Sequence, residues 1–144
     1  MQEYIADISS REFVFKGLSA GTSYVFAVRP FYNIPNMNTT FASKATTITT
    51  FTKPLRPTKV VASKRAYTAI KISWTKSAGA TGYALYKQVG GRWVRVKNVA
   101  TNSYTFTGLK RNTTYKFAVR PYKIAGGKVD YAASYTPITT KTLR

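Results

Sequence analysis

A chain of 144 residues, 15% of them aromatic, rich in Thr and Val and punctuated by Gly and Pro, has room for one or two small all-β units. It contains no His, no Cys and only 4 Asp and Glu, which excludes the usual zinc and copper ligand sets, disulfides and the Ser–His and Cys–His nucleophile pairs. The 23 Lys and Arg give a formal net charge of +19, a field that attracts polyanions and speaks to association rather than fold.

In chain order, Met1-Gln2-Glu3-Tyr4 has neither a basic nor an apolar region. No signal peptide is expected here, and an export signal would lie upstream. Residues 1–53 hold five basic and three acidic side chains, 5 − 3 = +2. Their main feature is a repeat: Phe13-Val-Phe-Lys-Gly-Leu18 matches Tyr104-Thr-Phe-Thr-Gly-Leu109 at an offset of 91. Thr22-Ser-Tyr24-Val-Phe-Ala-Val-Arg-Pro30 matches Thr113-Thr-Tyr115-Lys-Phe-Ala-Val-Arg-Pro121 at the same offset. After a one-residue deletion, Ile48-Thr-Thr50 matches Ile138-Thr-Thr140. The spacing is that of one sandwich domain.

Thr52-Lys-Pro-Leu-Arg-Pro57 follows. Two prolines this close end a strand and favour a stiff, extended connector. Beyond it, period-2 alternation and turn residues predict strands near Lys59–Ser63 and at Ala69–Thr75, Gly82–Gln88, Arg92–Val99, Ser103–Thr107 and Thr114–Lys123. A last strand runs from about Asp130 to Thr142. Ile70, Ile72 and Trp74 share one face of their strand, and Tyr83 and Leu85 point inward on the next. Seven short strands make an immunoglobulin-like Greek-key β-sandwich, with 54–144 a complete module and 1–53 matching only its part from the fourth strand onward. Residues 54–144 carry 18 basic groups against Asp130 alone, 18 − 1 = +17.

Leu109-Lys-Arg-Asn-Thr-Thr-Tyr115, a Leu followed six residues later by Tyr, resembles the corner between the two sheets of fibronectin type III domains; Leu18-Ser-Ala-Gly-Thr-Ser-Tyr24 repeats it. Trp74 matches that family's core tryptophan, and Gly79-Ala-Thr-Gly-Tyr-Ala-Leu-Tyr86 is similar to versions in bacterial secreted and wall-associated proteins. The resemblance implies a tandem sandwich with Trp74, Tyr83, Leu109, Tyr115 and Phe117 in the core of the second module and Leu18 and Tyr24 in that of the first. It also implies an extracellular or cell-surface setting beside adjacent modules of the same chain.

Chemistry is sparse. Asp130 stands alone in the complete module, so it offers no glycosidase carboxylate pair. Ser73-Trp-Thr-Lys76 ends a strand instead of opening a helix, and Ala125-Gly-Gly-Lys128 lacks phosphate-loop spacing. No Arg-Gly-Asp is present, and Asn38-Thr-Thr and Asn112-Thr-Thr are sequons that matter only in a eukaryotic secretory pathway. No catalytic residue, cofactor or metal is expected, nor a membrane span, since no apolar run approaches the ~20 residues a membrane helix needs. One constellation suits binding. Alternation puts Tyr86, then Trp93, Arg95 and Lys97, then Lys116, Arg120 and Tyr122 on the outer face of three neighbouring strands. Aromatic rings among cations suit glycan, wall-polymer or nucleic-acid contacts, although exposed sheet faces also pair such side chains for stability alone. The expected role is a non-catalytic spacer or interaction module. The alternatives are a polyanion-binding module using that face, or a self-associating fibre subunit in which a neighbour supplies the strands the first module lacks.

Overall fold

A computed structural model describes residues 11–32 and 40–144 of the chain. Residues 1–10, where the first repeat's match to the Arg92–Val99 strand falls, lie outside the described residues, as do Glu3, Asp7 and Asn38. Twelve strands and no helix are present among the described residues. The first repeat contributes β1 (Ser23–Val28), β2 (Phe31–Tyr32), β3 (Thr40–Phe41) and β4 (Thr46–Phe51). The second contributes β5 (Val60–Arg65), β6 (Ile70–Trp74), β7 (Gly82–Val89), β8 (Arg92–Val99), β9 (Ser103–Phe106), β10 (Thr114–Ala125), β11 (Lys128–Tyr131) and β12 (Thr136–Lys141).

The second repeat is a two-layer sandwich. One sheet runs β5-β6-β9; the other runs β11-β10-β7-β8, with β12 also on β10. Alternation works as expected on β6, where Ile70, Ile72 and Trp74 are buried and Lys71 is exposed. Those side chains meet Tyr83, Leu85, Phe106, Leu109, Phe117 and Val119 in one core, with Tyr115 packed at its margin. Trp74 meets Tyr83 edge-on at 5.3 Å, and Phe106 stacks on Phe117 at 3.9 Å. Each large apolar side chain so buried contributes roughly 1.5–3 kcal/mol. At the corner the Lys110 N–H donates to the Tyr115 hydroxyl at 2.8 Å, so the ring sits against the core while its oxygen holds the loop.

The predicted last strand is two strands. β12 pairs β10 up to Val119↔Thr136, and β11 pairs it again from Tyr122↔Tyr131. Between them Arg120 and Pro121 face four residues, Ala132 to Tyr135. Pro121 has no N–H to give the ladder, so the partner strand can leave it there at no loss. The Ala132 N–H still donates to the Pro121 carbonyl at 2.9 Å, and Arg120 Nε donates to the Ala132 carbonyl at 2.8 Å. The first repeat makes the same break: Val28↔Thr46 and Phe31↔Phe41 flank Arg29-Pro30. There the Arg29 guanidinium donates to the Ala42 carbonyl.

Further details of the first repeat coincide with the second. The Ser19 N–H donates to the Tyr24 hydroxyl at 2.8 Å, as Lys110 does to Tyr115. The Thr52 hydroxyl donates to the Ser19 carbonyl at 2.6 Å, as Thr142 does to Lys110 at 2.7 Å. Phe15 stacks on Phe26 at 4.1 Å, as Phe106 does on Phe117. Burial differs. Leu18, expected in the core, is 36% exposed, and Tyr24 is only half-buried. Both buried hydrophobic clusters consist of second-repeat residues, and among the described residues the first repeat forms only two two-stranded sheets. Among the described residues, therefore, no opposing layer buries Leu18.

Candidate functional site

β7 does not alternate: all five residues from Gly82 to Tyr86 are buried. A strand buried on both faces needs cover on both, and the second cover is the segment released at Pro121. As residues 132–135 leave the ladder they cross the outer face of the larger sheet and carry the Tyr135 ring onto it. Ala84, Tyr86 and Ala118 form the floor of a small second cluster, roofed by Trp93, Tyr122, Tyr131 and Tyr135. Tyr135 meets Tyr86 edge-on at 4.7 Å and lies near-parallel to Trp93 at 5.9 Å, with 18° between the planes. Tyr122 packs on Tyr131 at 5.7 Å. Its ring also lies against Gly82, where an added Cβ would come 2.5 Å from the Tyr122 hydroxyl.

The cations divide into held and free. Arg120 lies over both Tyr131 (5.3 Å) and Tyr135 (5.1 Å) while bonded to Ala132. Hydrogen bond and ring stacking use its planar fork, so Arg120 is a clamp for the crossing segment. Arg95 is exposed and reaches the Tyr131 hydroxyl at 3.4 Å. Lys116 is exposed, opposite Thr139 on the β10–β12 ladder. Lys97 requires a correction. The register slips between Leu85 and Tyr86, pairing Tyr86 with Arg95 but Leu85 with Lys97. The bulge turns the rest of β8 over, so Lys97 shares the face of Val99, which packs on the inner core. Trp93 and Arg95 keep the outer face.

Five of the seven expected face residues, Tyr86, Trp93, Arg95, Arg120 and Tyr122, thus belong to one aromatic array. Lys116 stands on the same face, outside the contacts described, and Lys97 is not on it. Tyr86 is 9% exposed and is floor, not contact surface. Burial pushes its hydroxyl above the ordinary phenol range, Tyr135 and Tyr131 adding to the rise while Arg120 and Arg95 oppose it. Tyr131 and Tyr135 were missed by strand alternation because both flank a break in the strand. The signal was Arg-Pro occurring at the same place in both repeats. The surface left to a ligand is the half-buried Trp93–Tyr135 pair with the Arg95 guanidinium at its side. Such a surface can stack a sugar ring and hydrogen-bond a hydroxyl or anionic group.

Among the described residues no three His, Cys, Asp or Glu side chains cluster. Asp130, on the edge strand β11, pairs with Lys53 at 3.8 Å and accepts from the Tyr131 N–H at 2.9 Å. No helix of the described residues is long and apolar enough to cross a membrane.

Comparison with known proteins sharpens this picture. The family model of the fibronectin type III domain matches residues 55–137, more than half of the chain. Exoglucanase B of Cellulomonas fimi is 30% identical over 148 residues, covering 96% of this chain and 13% of its own length. Chitinase A1 of Niallia circulans is 31% identical over 134 residues, covering 86% of this chain and 18% of its own. The chain therefore spans less than a fifth of the length of these relatives. Among solved structures, domains d3–d4 of the rat CD45 extracellular region superpose with a TM-score of 0.57 at 22% identity, covering 96% of this chain and 76% of that one. The crystal structure of FN3tt gives 0.53 at 20% identity, covering 63% and 96%. At these identities the two structures speak to fold alone.

Proposed function

We propose, from the premise that this chain belongs to the fibronectin type III domain family, that it is a non-catalytic accessory and spacer segment of a longer extracellular protein acting on polysaccharide. The observation that carries this reading is the match of residues 55–137 to the fibronectin type III domain together with glucan- and chitin-named enzymes as relatives, of whose length the chain spans less than a fifth. Residues 54–144 act as the complete module and 1–53 as the later part of a preceding one. Neighbouring modules of the same chain are its first partners.

A second reading rests on the Trp93–Tyr135 pair beside Arg95: the outer face of the second repeat holds a glycan chain. With Arg120 committed to Ala132 and Lys97 turned away, the face is more aromatic than basic. That favours ring stacking on a neutral polysaccharide over capture of a polyanion.

One experiment tests both readings. The 144-residue chain is incubated with insoluble cellulose, chitin and heparin-agarose across about 50–300 mM salt, beside Trp93→Ala and Tyr135→Ala variants, and released reducing ends are assayed. A spacer binds weakly, equally in all three proteins, and is released by about 150 mM salt. A glycan face binds one polysaccharide at every salt concentration and loses it in both variants. Release of reducing ends by the purified chain would overturn the non-catalytic reading.

A further inference from the structure

The two repeats touch through bare backbone. Gly21, in the corner turn of the first repeat, has φ +60°, and Gly79, in the turn between β6 and β7 of the second, has φ +69°. A Cβ on Gly79 would lie 2.2 Å from the Gly21 carbonyl oxygen and 2.6 Å from its Cα. A Cβ on Gly21 would lie 2.7 Å from the Ala78 carbonyl oxygen and 2.8 Å from Gly79 Cα. Every atom met is main chain, so no side chain can swing aside to make room.

The segment between the repeats supports this contact from two sides. The Gly21 N–H donates to the Lys53 carbonyl at 3.0 Å, tying the turn to the start of the connector. Pro54 and Pro57 are buried, and Lys53 to Arg56 line a groove with Ala133 and Ser134 of the crossing segment. The Thr136 hydroxyl donates to the Pro57 carbonyl at 3.3 Å, and Lys53 reaches Asp130. The connector is thus laid against the second repeat, not merely stiffened by its prolines.

The second repeat has the same corner turn with a different residue. Asn112 stands where the first repeat has Gly21, with φ 49° and the same N–H bond, to Leu143 at 2.9 Å. Asn tolerates this left-handed backbone better than other residues with a Cβ. The turn therefore needs only Asn; the contact with Gly79 needs Gly.

We propose that Gly21 and Gly79 form a built seat that fixes the orientation of the first repeat on the second. The partner surface is a second copy of this fold, presented by the turn before its third strand. The inference stands independently of what the outer face binds, and its test reads orientation, not binding.

The test uses the whole 144-residue chain. Backbone amide residual dipolar couplings are collected for β1 and β4 and for the second-repeat strands in the wild type, Gly21→Asn and Asn112→Gly. The wild type and Asn112→Gly are expected to fit one alignment tensor across both repeats. Gly21→Asn is expected to need two, with the thermal midpoint of the second repeat unchanged because Asn suits the turn. Nuclear Overhauser contacts between the Gly21 and Gly79 Hα protons in the wild type give a reading that needs no variant. Two tensors in the wild type, a single tensor in Gly21→Asn, or no Hα–Hα contact would each overturn the seat.

Discussion

Phe26 and Phe117 occupy the same place in the two repeats and sit in nearly the same local geometry. Each stacks on a Phe of the preceding segment, and each lies 5.9 Å from the corner tyrosine at 16°. Yet Phe117 is fully buried while Phe26 is only half-buried, and neighbours such as Phe13 are 41% exposed. The difference teaches which links are local. The ring ladder, the tyrosine corner and the threonine bonds follow from a short stretch of sequence and form in the first repeat with no opposing sheet among the described residues. Burial requires the opposing sheet, and burial dominates the stability of a domain this size.

That contrast can be broken most directly at the matched phenylalanines. Phe117→Ala is expected to cost about 3–5 kcal/mol, whereas Phe26→Ala leaves the second repeat's transition within about 0.5 kcal/mol. Both tryptophans, Trp74 and Trp93, lie in the second repeat, so a urea melt followed by tryptophan fluorescence reads that repeat alone. Equal losses from the two substitutions would mean the repeats share one cooperative core. Next in size is the clamp. Arg120→Lys loses the planar fork that bonds Ala132 and covers two rings, and should cost about 1.5–3 kcal/mol in the same melt. An unchanged midpoint would make Arg120 a free surface cation after all. Tyr115→Phe removes only the hydroxyl that accepts from Lys110 and should cost about 1 kcal/mol. If Tyr24→Phe loosens the first repeat's corner in amide exchange by a similar amount, the corner is a local device in both copies. Smallest is Asp130→Asn. Its partner Lys53 is well exposed, so the ion pair should contribute under about 1 kcal/mol, seen as a shift of at most a few degrees in melting temperature.

Much of the fold was legible because it is written in short-range pattern. Alternation in Ile70-Lys-Ile-Ser-Trp74 placed a core face, and the Leu-to-Tyr spacing placed the corner. The candidate face was read less well, and both failures have one cause. Alternation assumes an unbroken ladder, so Lys97 was assigned across a bulge that reverses sides, and Tyr131 and Tyr135 were assigned to a strand that stops between them. Pro121 marked the second irregularity in plain sight, since a residue without an N–H deep in a strand asks for a break beside it. No residue type marked the bulge in β8, which depends on how two strands fit together. The contact of Gly21 with Gly79 was equally invisible, because glycine in a turn reads as turn chemistry whether or not another backbone leans on it.

The break at Pro121 also has a mechanical meaning. In the spacer role proposed above, tension from the C-terminal side would enter the second repeat at β12. Because β12 and β11 are separate strands, that tension falls first on the ladder from Thr114↔Lys141 to Val119↔Thr136. The β10–β11 hairpin lies past the break, outside the line of force, held by Arg120 and its rings. It is extra length folded behind the break, and what keeps it there is one guanidinium lying over two tyrosine rings.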